Sequence, residues 1–259
     1  MKKTIAMILA VLMIAASLAG CGSKKADSDL AAIEKSGKLI VGITDYEPMD
    51  YKDENGNWTG FDAEFAELFA KELGVECEFF ILSDWGQKFY ELETKNIDAV
   101  WNGMTITEEA KLNASVSDAY VINAQVVVMK ADAVGNYPDT DSLKGLNFAV
   151  ESGSAGEDAL KELGIDGYVA VQDQAKAVME VAAGTADACV IDITMANAMT
   201  GEGTSYADFG YSIELSTEEY GVAFRKGSDM VDKFNTVMEE LKADGTLQNL
   251  AEKYELTLA

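Results

Sequence analysis

Short apolar runs alternate along the chain with segments whose apolar residues recur at helical spacing, and this alternation limits the possible folds most strongly. Residues 39–43 form a β-branched apolar run typical of a buried strand. Phe61, Phe65 and Phe69 fall on one face of a helix, which Gly74 then ends. Further strands are predicted at 75–80 and 97–101, with a helix at 87–93 between them. This β-α-β-α-β order predicts a parallel sheet in an α/β fold.

A second series of the same kind follows and predicts a second lobe. Its strands are predicted at 148–150, 168–171 and 188–191, and its helices at 157–163 and 175–183. An apolar run at 221–224 and two helices separated at Asp244 and Gly245 complete the chain. Periodicity alone does not show which lobe these C-terminal residues join.

The N-terminal residues have the organisation of an export signal. Two lysines precede an apolar run at 5–16 that is too short to remain as a membrane-spanning helix. The Leu-Ala-Gly-Cys sequence that ends at Cys21 resembles the bacterial lipobox, whose cysteine receives a diacylglycerol and becomes the new N-terminus. We therefore predict a signal peptide at 1–20 and a lipidated cysteine with a flexible tether at 21–36, on the outer face of the membrane. The alternative is an ordinary secretory peptide with an incidental cysteine.

The charge balance and the cysteine count exclude several classes of function. Acidic residues number 45 against 20 basic ones, for a net charge of -25, and Arg225 is the single arginine. A nucleic-acid or phosphate site is therefore not expected. The chain has no histidine, and Cys77 and Cys189 fall in different predicted lobes, where each is expected to be a small buried core residue. We expect no disulfide, no metal site and no cofactor.

Three loops follow predicted strand ends, where open α/β sheets place their ligands. The first loop, residues 44–49, combines an aromatic side chain, two acids and a proline. Tyr46 is suited to stacking on a flat or aliphatic ligand. The alternative is that Tyr46 and Met49 only cover the edge of the core.

The second loop, residues 101–109, joins a strand to a helix. Gly103 permits close approach of the backbone to a ligand, and Asn102 and Thr105 offer hydrogen-bond donors and acceptors at the same place. Thr105 and Glu108 also have the spacing of a capping box, which would by itself explain the threonine.

The third loop, residues 151–157, again leads from a strand into a helix, and Ser154 with Glu157 repeats the capping-box spacing. Unpaired amides at such a helix start attract a carboxylate, but no lysine follows the glycines as a phosphate loop requires. Farther along, Asp192 ends a buried strand, where it would either bind an ammonium group or cap the helix that begins near Ile193.

Taken in order, these segments resemble the polar amino-acid-binding proteins of ABC importers, a family with lysine/arginine/ornithine-, histidine- and glutamine-binding members. The resemblance runs from about Lys38 to Tyr254 and rests on an ordered set of motifs. They are Tyr46-Glu47-Pro48-Met49, Lys52-Asp53-Glu54-Asn55-Gly56, Gly60-Phe61-Asp62, Ser83-Asp84-Trp85, Thr105-Ile106-Thr107, Val150-Glu151-Ser152-Gly153-Ser154, Tyr220-Gly221-Val222-Ala223-Phe224-Arg225-Lys226-Gly227 and Lys242-Ala243-Asp244-Gly245-Thr246.

The resemblance implies a type II periplasmic-binding-protein-like fold, with two α/β lobes, two hinge strands and a ligand cleft between the lobes. Lobe 1 would comprise residues 37–126 and 218–259, and lobe 2 would comprise residues 127–217. The resemblance also implies a monomer without catalytic activity. Its lobes would close on an amino acid or a related amine and present this ligand to a membrane permease and its ATPase.

The same resemblance assigns site residues. Asp45 and Tyr46 would line the wall of lobe 1, and Trp85 would stack on the ligand. Asp192 would bind the α-ammonium group. Contacts to the polar end of the ligand would come from Asn102, Gly103, Met104 and Thr105, and Ser154 and Ala155 of lobe 2 would add contacts at the helix start.

One departure from the family pattern affects the expected ligand. After the Thr-x-x segment the family usually places an arginine, which binds the ligand carboxylate through two parallel hydrogen bonds. That position is Ala110 here, and the neighbouring Lys111 is turned from it by about 100° around a helix. We therefore expect a ligand whose amine is bound by Asp192 and whose carboxylate is masked, absent or held only by backbone amides.

Two other functions stay open from the sequence. Some relatives of this fold dehydrate cyclic dicarboxylates, and Glu47 or Glu151 would then serve as the acid. A dicarboxylate substrate needs cationic partners, however, and the three loops contain no arginine. The second alternative is a lipoprotein that passes its solute to a receptor; no signalling domain follows Ala259, which favours transport.

Overall fold

The computed structural model describes residues 28–259, so the predicted signal peptide and Cys21 lie outside the described residues. The helices are α1 (Asp29–Ser36), α2 (Phe61–Leu73), α3 (Lys88–Glu93), α4 (Glu108–Asn113), α5 (Ala131–Val134), α6 (Ala155–Glu162), α7 (Gln174–Ala183), α8 (Ile193–Met199), α9 (Met230–Ala243) and α10 (Thr246–Lys253), with short 3₁₀ turns at Trp85–Gln87 and Thr140–Leu143. The strands are β1 (Lys38–Ile43), β2 (Tyr51–Lys52), β3 (Trp58–Thr59), β4 (Glu76–Ile81), β5 (Ala99–Val100), β6 (Ser115–Val116), β7 (Val121–Lys130), β8 (Phe148–Glu151), β9 (Tyr168–Val171), β10 (Ala188–Asp192), β11 (Phe209–Tyr220) and β12 (Ala223–Phe224). None of the helices between residues 28 and 259 combines the length and the apolar character that a bilayer span requires.

The first sheet forms the centre of lobe 1 and has the strand order β4-β1-β5-β12-β6. β1 runs parallel to β4 and to β5, as the predicted β-α-β-α-β order requires. β12 is antiparallel to β5 and β6. Because β12 comes near the end of the chain, the C-terminal residues return to the first lobe, and the expected α/β architecture is confirmed.

The second sheet has the order β11-β7-β10-β8-β9, and its two longest strands connect the lobes. β8 is parallel to β9 and β10, whereas β7 is antiparallel to β10 and β11. The chain enters lobe 2 along β7 and leaves it along β11, and these hinge strands pair from Val121 with Tyr220 to Lys130 with Phe209. The two-lobed type II architecture is therefore confirmed, and the predicted lobe boundaries fall within the two hinge strands.

Aromatic side chains build the core of lobe 1, and α2 supplies three of them. Phe61, Phe65 and Phe69 are completely buried. The ring of Phe65 meets Trp101 edge-on with 4.8 Å between centroids, and Trp101 meets Phe234 of α9 at 5.0 Å. The four-residue spacing thus turns one face of α2 to the core, and α9 packs against the same lobe.

The helix α1 corrects the expected flexible tether at 21–36. Ser28 caps this helix by accepting a backbone hydrogen bond of 3.0 Å, and Ile33 is buried. Arg225 donates to Asp29 in the first turn at 3.0 Å. Local composition does not distinguish a tether from a docked helix here, because the side chains that hold α1 come from the other end of the chain.

The two cysteines lie in different lobes, as expected, but only one is fully buried. Cys189 in β10 is completely covered, and burial raises the pKa of its thiol. Cys77 in β4 is half-buried against the core, and this burial raises the pKa of its thiol to about 12. The predicted core position is therefore right for Cys189 and wrong for Cys77. Both cysteines are free.

Candidate functional site

A cavity lies between the two lobes, at the carboxyl ends of strands in both sheets. It encloses about 580 Å³, including the part that is open to solvent, and the loops after β1, β5, β8 and β10 line it. The ends of neighbouring strands leave backbone and side-chain groups exposed, which makes such places common ligand sites. In the part of the chain that is described, no group of three or more Cys, Asp or Glu side chains is placed to hold a metal ion.

All ten residues predicted to bind ligand line this one cavity, although they come from five separate segments of sequence. They are Asp45, Tyr46, Trp85, Asn102, Gly103, Met104, Thr105, Ser154, Ala155 and Asp192. The contacts that each would make with a ligand stay predictions. Their local roles differ, because several of the side chains already form hydrogen bonds within the protein.

Asp192 is held in the cavity wall by amide side chains and not by the helix that follows it. Its carboxylate accepts hydrogen bonds from Asn123 Nδ2 and Gln125 Nε2, each at 2.5 Å, and from Gln174 Nε2. Within the described chain it makes no capping bond to α8, so the alternative capping role is wrong. Burial, with a smaller effect from Glu218, raises the pKa of Asp192 to about 7, although the amide donors oppose the shift. A positive charge beside Asp192 would favour its ionised form.

A second carboxylate, on a hinge strand, shares the same amides. Asn123 Nδ2 and Gln125 Nε2 of β7 also donate to Glu218 Oε1 of β11, at 2.7 and 2.8 Å. Thr105 of lobe 1 donates to the same oxygen at 2.8 Å. Glu218 is absent from the predicted site because a polar residue in a long strand gives no sign of facing a cleft. Only the pairing of β7 with β11 brings it opposite Asn123.

Asn102 supports the site from behind and has no side-chain hydrogen-bonding capacity left for a ligand. Its Oδ1 accepts from the backbone and hydroxyl of Thr44, at 3.0 and 2.6 Å. Its Nδ2 donates to Thr44 O at 3.2 Å and to Asp50 Oδ2 at 2.7 Å. The side chain of Asn102 therefore joins the loop after β1 to the loop after β5, because buried polar groups must be satisfied, and a contact between Asn102 and a ligand stays a prediction.

Two fully buried aspartates lie behind the same loop. Asp62 Oδ2 accepts from Gly103 N at 2.6 Å and from Tyr120 OH at 2.7 Å, while Asp50 accepts from Asn102. Among residues 28–259, the Oδ1 atom of each aspartate has no hydrogen-bond partner. Burial raises the pKa of Asp62 to about 7 and that of Asp50 well above its usual value. Burial therefore favours the protonated form of these two carboxyl groups, and the hydrogen bonds of the pair fix the loop after β5.

The helix α4 begins two residues later than the predicted capping box requires. Thr107 Oγ1 caps it by accepting from Ala110 N at 3.0 Å, so the predicted box between Thr105 and Glu108 is wrong. The backbone of Thr105 instead forms an antiparallel bridge with Tyr220, which keeps it extended. Its hydroxyl is then free to support Glu218 of the hinge.

The start of α6 agrees with prediction more closely. Ser154 Oγ accepts from Glu157 N at 3.2 Å, as a helix cap should, whereas the Glu157 carboxylate accepts from Gly153 N at 2.7 Å and not from Ser154. The amides of Ala155 and Gly156, the first two residues on from the cap, have no acceptor among the described residues. Ala155 lines the cavity, so an unpaired amide lies there, as expected for an anion-attracting helix start.

One hydrogen bond of Tyr46 joins the two lobes, and a second one stays within lobe 1. Its hydroxyl lies 2.5 Å from Thr194 Oγ1 of α8 and 2.5 Å from the hydroxyl of Tyr220. Gly103 accommodates this arrangement, since a Cβ atom there would lie 2.5 Å from the Tyr46 ring. The close approach expected at Gly103 is thus made by Tyr46 of the protein itself.

Trp85 and two charged side chains complete the cavity. Lys88 Nζ lies 4.7 Å from the Trp85 ring centroid, so one face of the indole contacts a cation. Lys88 is 6% exposed and Glu151 is 4% exposed, and both line the cavity. Burial lowers the pKa of Lys88 and raises that of Glu151. Neither belongs to the predicted binding set, although Glu151 begins the third loop and is a candidate acid in the enzymatic alternative.

This cavity, enclosed by two α/β lobes that two hinge strands connect, defines a two-lobed solute-binding protein of the type II periplasmic fold. Residues 39–257 match the model of the bacterial extracellular solute-binding proteins, family 3. The chain belongs to this family, and the resemblance inferred from its motifs is confirmed.

Several similar proteins are named for the amino acids that they bind. The arginine-binding extracellular protein ArtP of Bacillus subtilis (strain 168) is 32% identical over 260 residues, which are 98% of each chain. The L-cystine-binding protein TcyJ of Escherichia coli (strain K12) is 32% identical over 250 residues, 94% of this chain and 92% of the relative. The crystal structure of the ancestral amino acid-binding protein AncCDT-1, a precursor of cyclohexadienyl dehydratase, matches with a TM-score of 0.80 and 35% identity over 88% of this chain and 99% of that one. Since these relatives have different ligands, the family alone does not identify the ligand here.

Proposed function

We propose that the protein is the lipid-anchored, extracytoplasmic solute-binding component of an ABC importer, and that its ligand is an amino acid or related amine with a positive charge. Buried Asp192 carries this proposal. Three amide donors fix its carboxylate in a cavity that both lobes close, and no described residue forms an ion pair with it. An ammonium group of the ligand would supply the missing positive charge.

The remaining charges in the cavity also favour a cationic ligand. Four further acids line it, and Lys88 is the one basic residue among the described lining residues. The four acids are Asp45, Glu109, Glu151 and Asp158. Because neighbouring carboxylates in a partly buried site raise the free energy of one another, a bound ammonium or guanidinium group would be stabilised there. A relative named for arginine binding is consistent with this preference.

Isothermal titration calorimetry on the mature protein would test the ligand class. The panel should contain arginine, lysine, putrescine, glutamine and glutamate at equal ionic strength. We expect the cationic compounds to bind at least about 10-fold more tightly than glutamate, because the acids that line the cavity would repel the side-chain carboxylate of glutamate. Tighter binding of glutamate than of arginine, or no binding of any member, would contradict the proposal.

The membrane anchor is a separate part of the proposal and depends on Cys21, which lies outside the described residues. We expect a Cys21→Ser variant to be exported but released from the membrane fraction, because two acyl chains are lost with the thiol. Fractionation and labelling with a radioactive fatty acid would show this. Labelled Cys21→Ser protein in the membrane would contradict the assignment.

Delivery to a permease is a further part of the proposal, and the two hinge strands support it, since closure of the lobes would give a permease a surface that the open protein lacks. Tethering beside the permease would raise the effective concentration of the closed form without a new contact. We expect deletion of the gene to abolish high-affinity uptake of the ligand identified by calorimetry. Unchanged uptake would instead support a sensing role.

A further inference from the structure

A buried lysine lies in the cavity from which the family's arginine is missing. Lys88 stands at the start of α3 and lines the cavity together with Ala110, which occupies the usual arginine position. Within the described chain, its ammonium donates to the backbone carbonyls of Trp85 at 3.4 Å and Gly153 at 3.1 Å, and it forms no salt bridge. An ammonium group has three N–H donors, so one stays without a partner.

An unpaired buried ammonium is unfavourable and calls for a counter-ion. Burial lowers the pKa of Lys88, although Glu109, Glu151 and Asp158 act in the opposite direction from a distance. Buried charges in proteins are normally paired, because a lone ammonium loses its hydration without compensation. An anionic group in the cavity would supply the missing acceptor and the missing charge together.

The place that Lys88 reaches is also the place where backbone donors are free. Its partner Gly153 O lies two residues before Ala155, the first residue of α6. The amides of Ala155 and Gly156 have no acceptor among the described residues, and the positive end of the helix dipole adds to their effect. Lys88 of lobe 1, which reaches Gly153, and the unpaired amide of Ala155 of lobe 2 therefore lie close together, and both residues line the cavity.

We infer that Lys88 binds the carboxylate of the ligand in place of the arginine that Ala110 lacks, and that the ligand is an α-amino acid with a free carboxylate. This inference rests on the proposed function and makes it more specific. It replaces the expectation that the carboxylate is masked or absent. That expectation rests on the three loops, and Lys88 lies outside them, in α3. Asp192 would bind the ammonium group and Lys88 the carboxylate of the same molecule.

A purely structural role for Lys88 makes a different prediction. Its hydrogen bond to Gly153 O also links the lobes, so the loss of the side chain could weaken closure around any ligand. Such an effect would be equal for a carboxylate ligand and for its amide. If Lys88 binds the carboxylate, the loss of its side chain would weaken binding only of the ligand with the free carboxylate.

Calorimetry with arginine and argininamide, at about pH 7 and low salt, separates the two roles. We expect the wild-type protein to prefer arginine about 10- to 100-fold. Lys88→Met, which keeps the apolar stem beside Trp85, should weaken arginine binding by about the same factor and argininamide binding less than about threefold. Lys88→Arg should restore part of the preference. Lys111→Met is the matched control, because Lys111 is exposed, pairs with Glu108 and lies next to Ala110.

The outcomes distinguish this inference from the proposed function. Equal affinities of the wild-type protein for arginine and argininamide, or equal weakening of both by Lys88→Met, would overturn the inference and leave a cation-binding protein. The wild-type comparison does not depend on the folding of any variant. If the wild-type protein binds neither these compounds nor any other member of the panel, the proposed function is wrong and the inference falls with it.

Discussion

Single side chains set the charge of the cleft. Asp192 and Glu218 share the amides of Asn123 and Gln125, so two carboxylates lie close together without a cation between them in the described chain. Burial is the main cause that raises the pKa of Asp192 to about 7. Near neutral pH this carboxyl group is therefore partly protonated. A ligand ammonium group favours the ionised form, so it competes with the proton.

This competition predicts a pH dependence of affinity. We expect binding of a cationic amino acid to weaken as the pH falls below about 7, by up to about tenfold per pH unit, because the proton must first leave Asp192. Asp192→Asn should remove the part of this dependence that Asp192 causes and lower affinity about 10- to 100-fold. Titration calorimetry from about pH 5 to about pH 8 would measure both effects.

The control for this prediction is Asp208→Asn, which removes an exposed carboxylate of lobe 2 that pairs with Lys130. It should leave affinity and its pH dependence unchanged. An Asp192→Asn protein with the full wild-type pH dependence would show that another group binds the proton.

At the scale of single elements, the terminal helix α1 is fixed by side chains from distant parts of the chain. Arg225, next to β12, donates to Asp29 at 3.0 Å, to Asp98 at 2.8 Å and to the carbonyl of Ile97 at 2.6 Å. The side chains of Arg225 and Asp29 are each 12% exposed. One arginine therefore ties α1 to the edge of β5, away from the cleft, as the resemblance implies.

Loss of this arginine should release α1 and destabilise lobe 1. We expect Arg225→Met to lower the free energy of unfolding by roughly 3 kcal/mol, because two partly buried carboxylates lose their counter-ion. Urea denaturation would measure the change, and limited proteolysis should cut near α1. Lys144→Met, which breaks an exposed pair with Asp141, should cost less than about 1 kcal/mol. Equal stability of the two variants would contradict the assigned role of Arg225.

At the scale of the whole molecule, closure depends on how near the lobes approach. Gly153 of lobe 2 faces Gly86 of lobe 1 so closely that a Cβ atom at Gly153 would lie 2.9 Å from Gly86 Cα. Lys88 and Tyr46 complete hydrogen bonds across the same gap. Small residues at this contact allow the lobes to enclose the cavity, and a larger one would keep them apart.

We therefore expect Gly153→Ala to favour the open form and to weaken ligand binding about tenfold or more, since binding must then overcome the clash. Small-angle scattering with saturating ligand should give a larger radius of gyration than for the wild type. Gly164→Ala is a matched control, because its φ of +68° equals the +69° of Gly153 within a degree, while no atom lies within 4 Å of its added Cβ. Both changes carry the same backbone strain of roughly 1 kcal/mol, so any difference between the two variants reports the effect on lobe closure. A compact, tightly binding Gly153→Ala protein would contradict this view of closure.

Most of the fold could be predicted from the sequence, because hydrophobic periodicity and turn residues act locally. The strand Tyr168–Val171 and the helix Gln174–Ala183 lie where the apolar pattern places them, within one residue. The ordered motifs likewise bring all ten predicted residues to one cavity. The position of Asp192 could be predicted from the sequence as well, since few roles other than ligand binding or helix capping explain an acid at the end of a buried strand.

Other features were decided only by the tertiary structure, because they depend on contacts between segments far apart in the chain. From the sequence, Lys88 is an ordinary helical lysine; only the packing of α3 beside lobe 2 shows that it lies in the cavity. Glu218 likewise has the pattern of an exposed strand residue, and only the pairing of β11 with β7 places it opposite Asn123. Asn102 looks like a ligand donor until Thr44 and Asp50 satisfy its amide. The sequence by itself determines two lobes and the loops between which a solute binds, since local backbone preference suffices for that. Only the packing of the lobes decides which charges face that solute, because the direction and the partners of a side chain depend on what lies across the cleft.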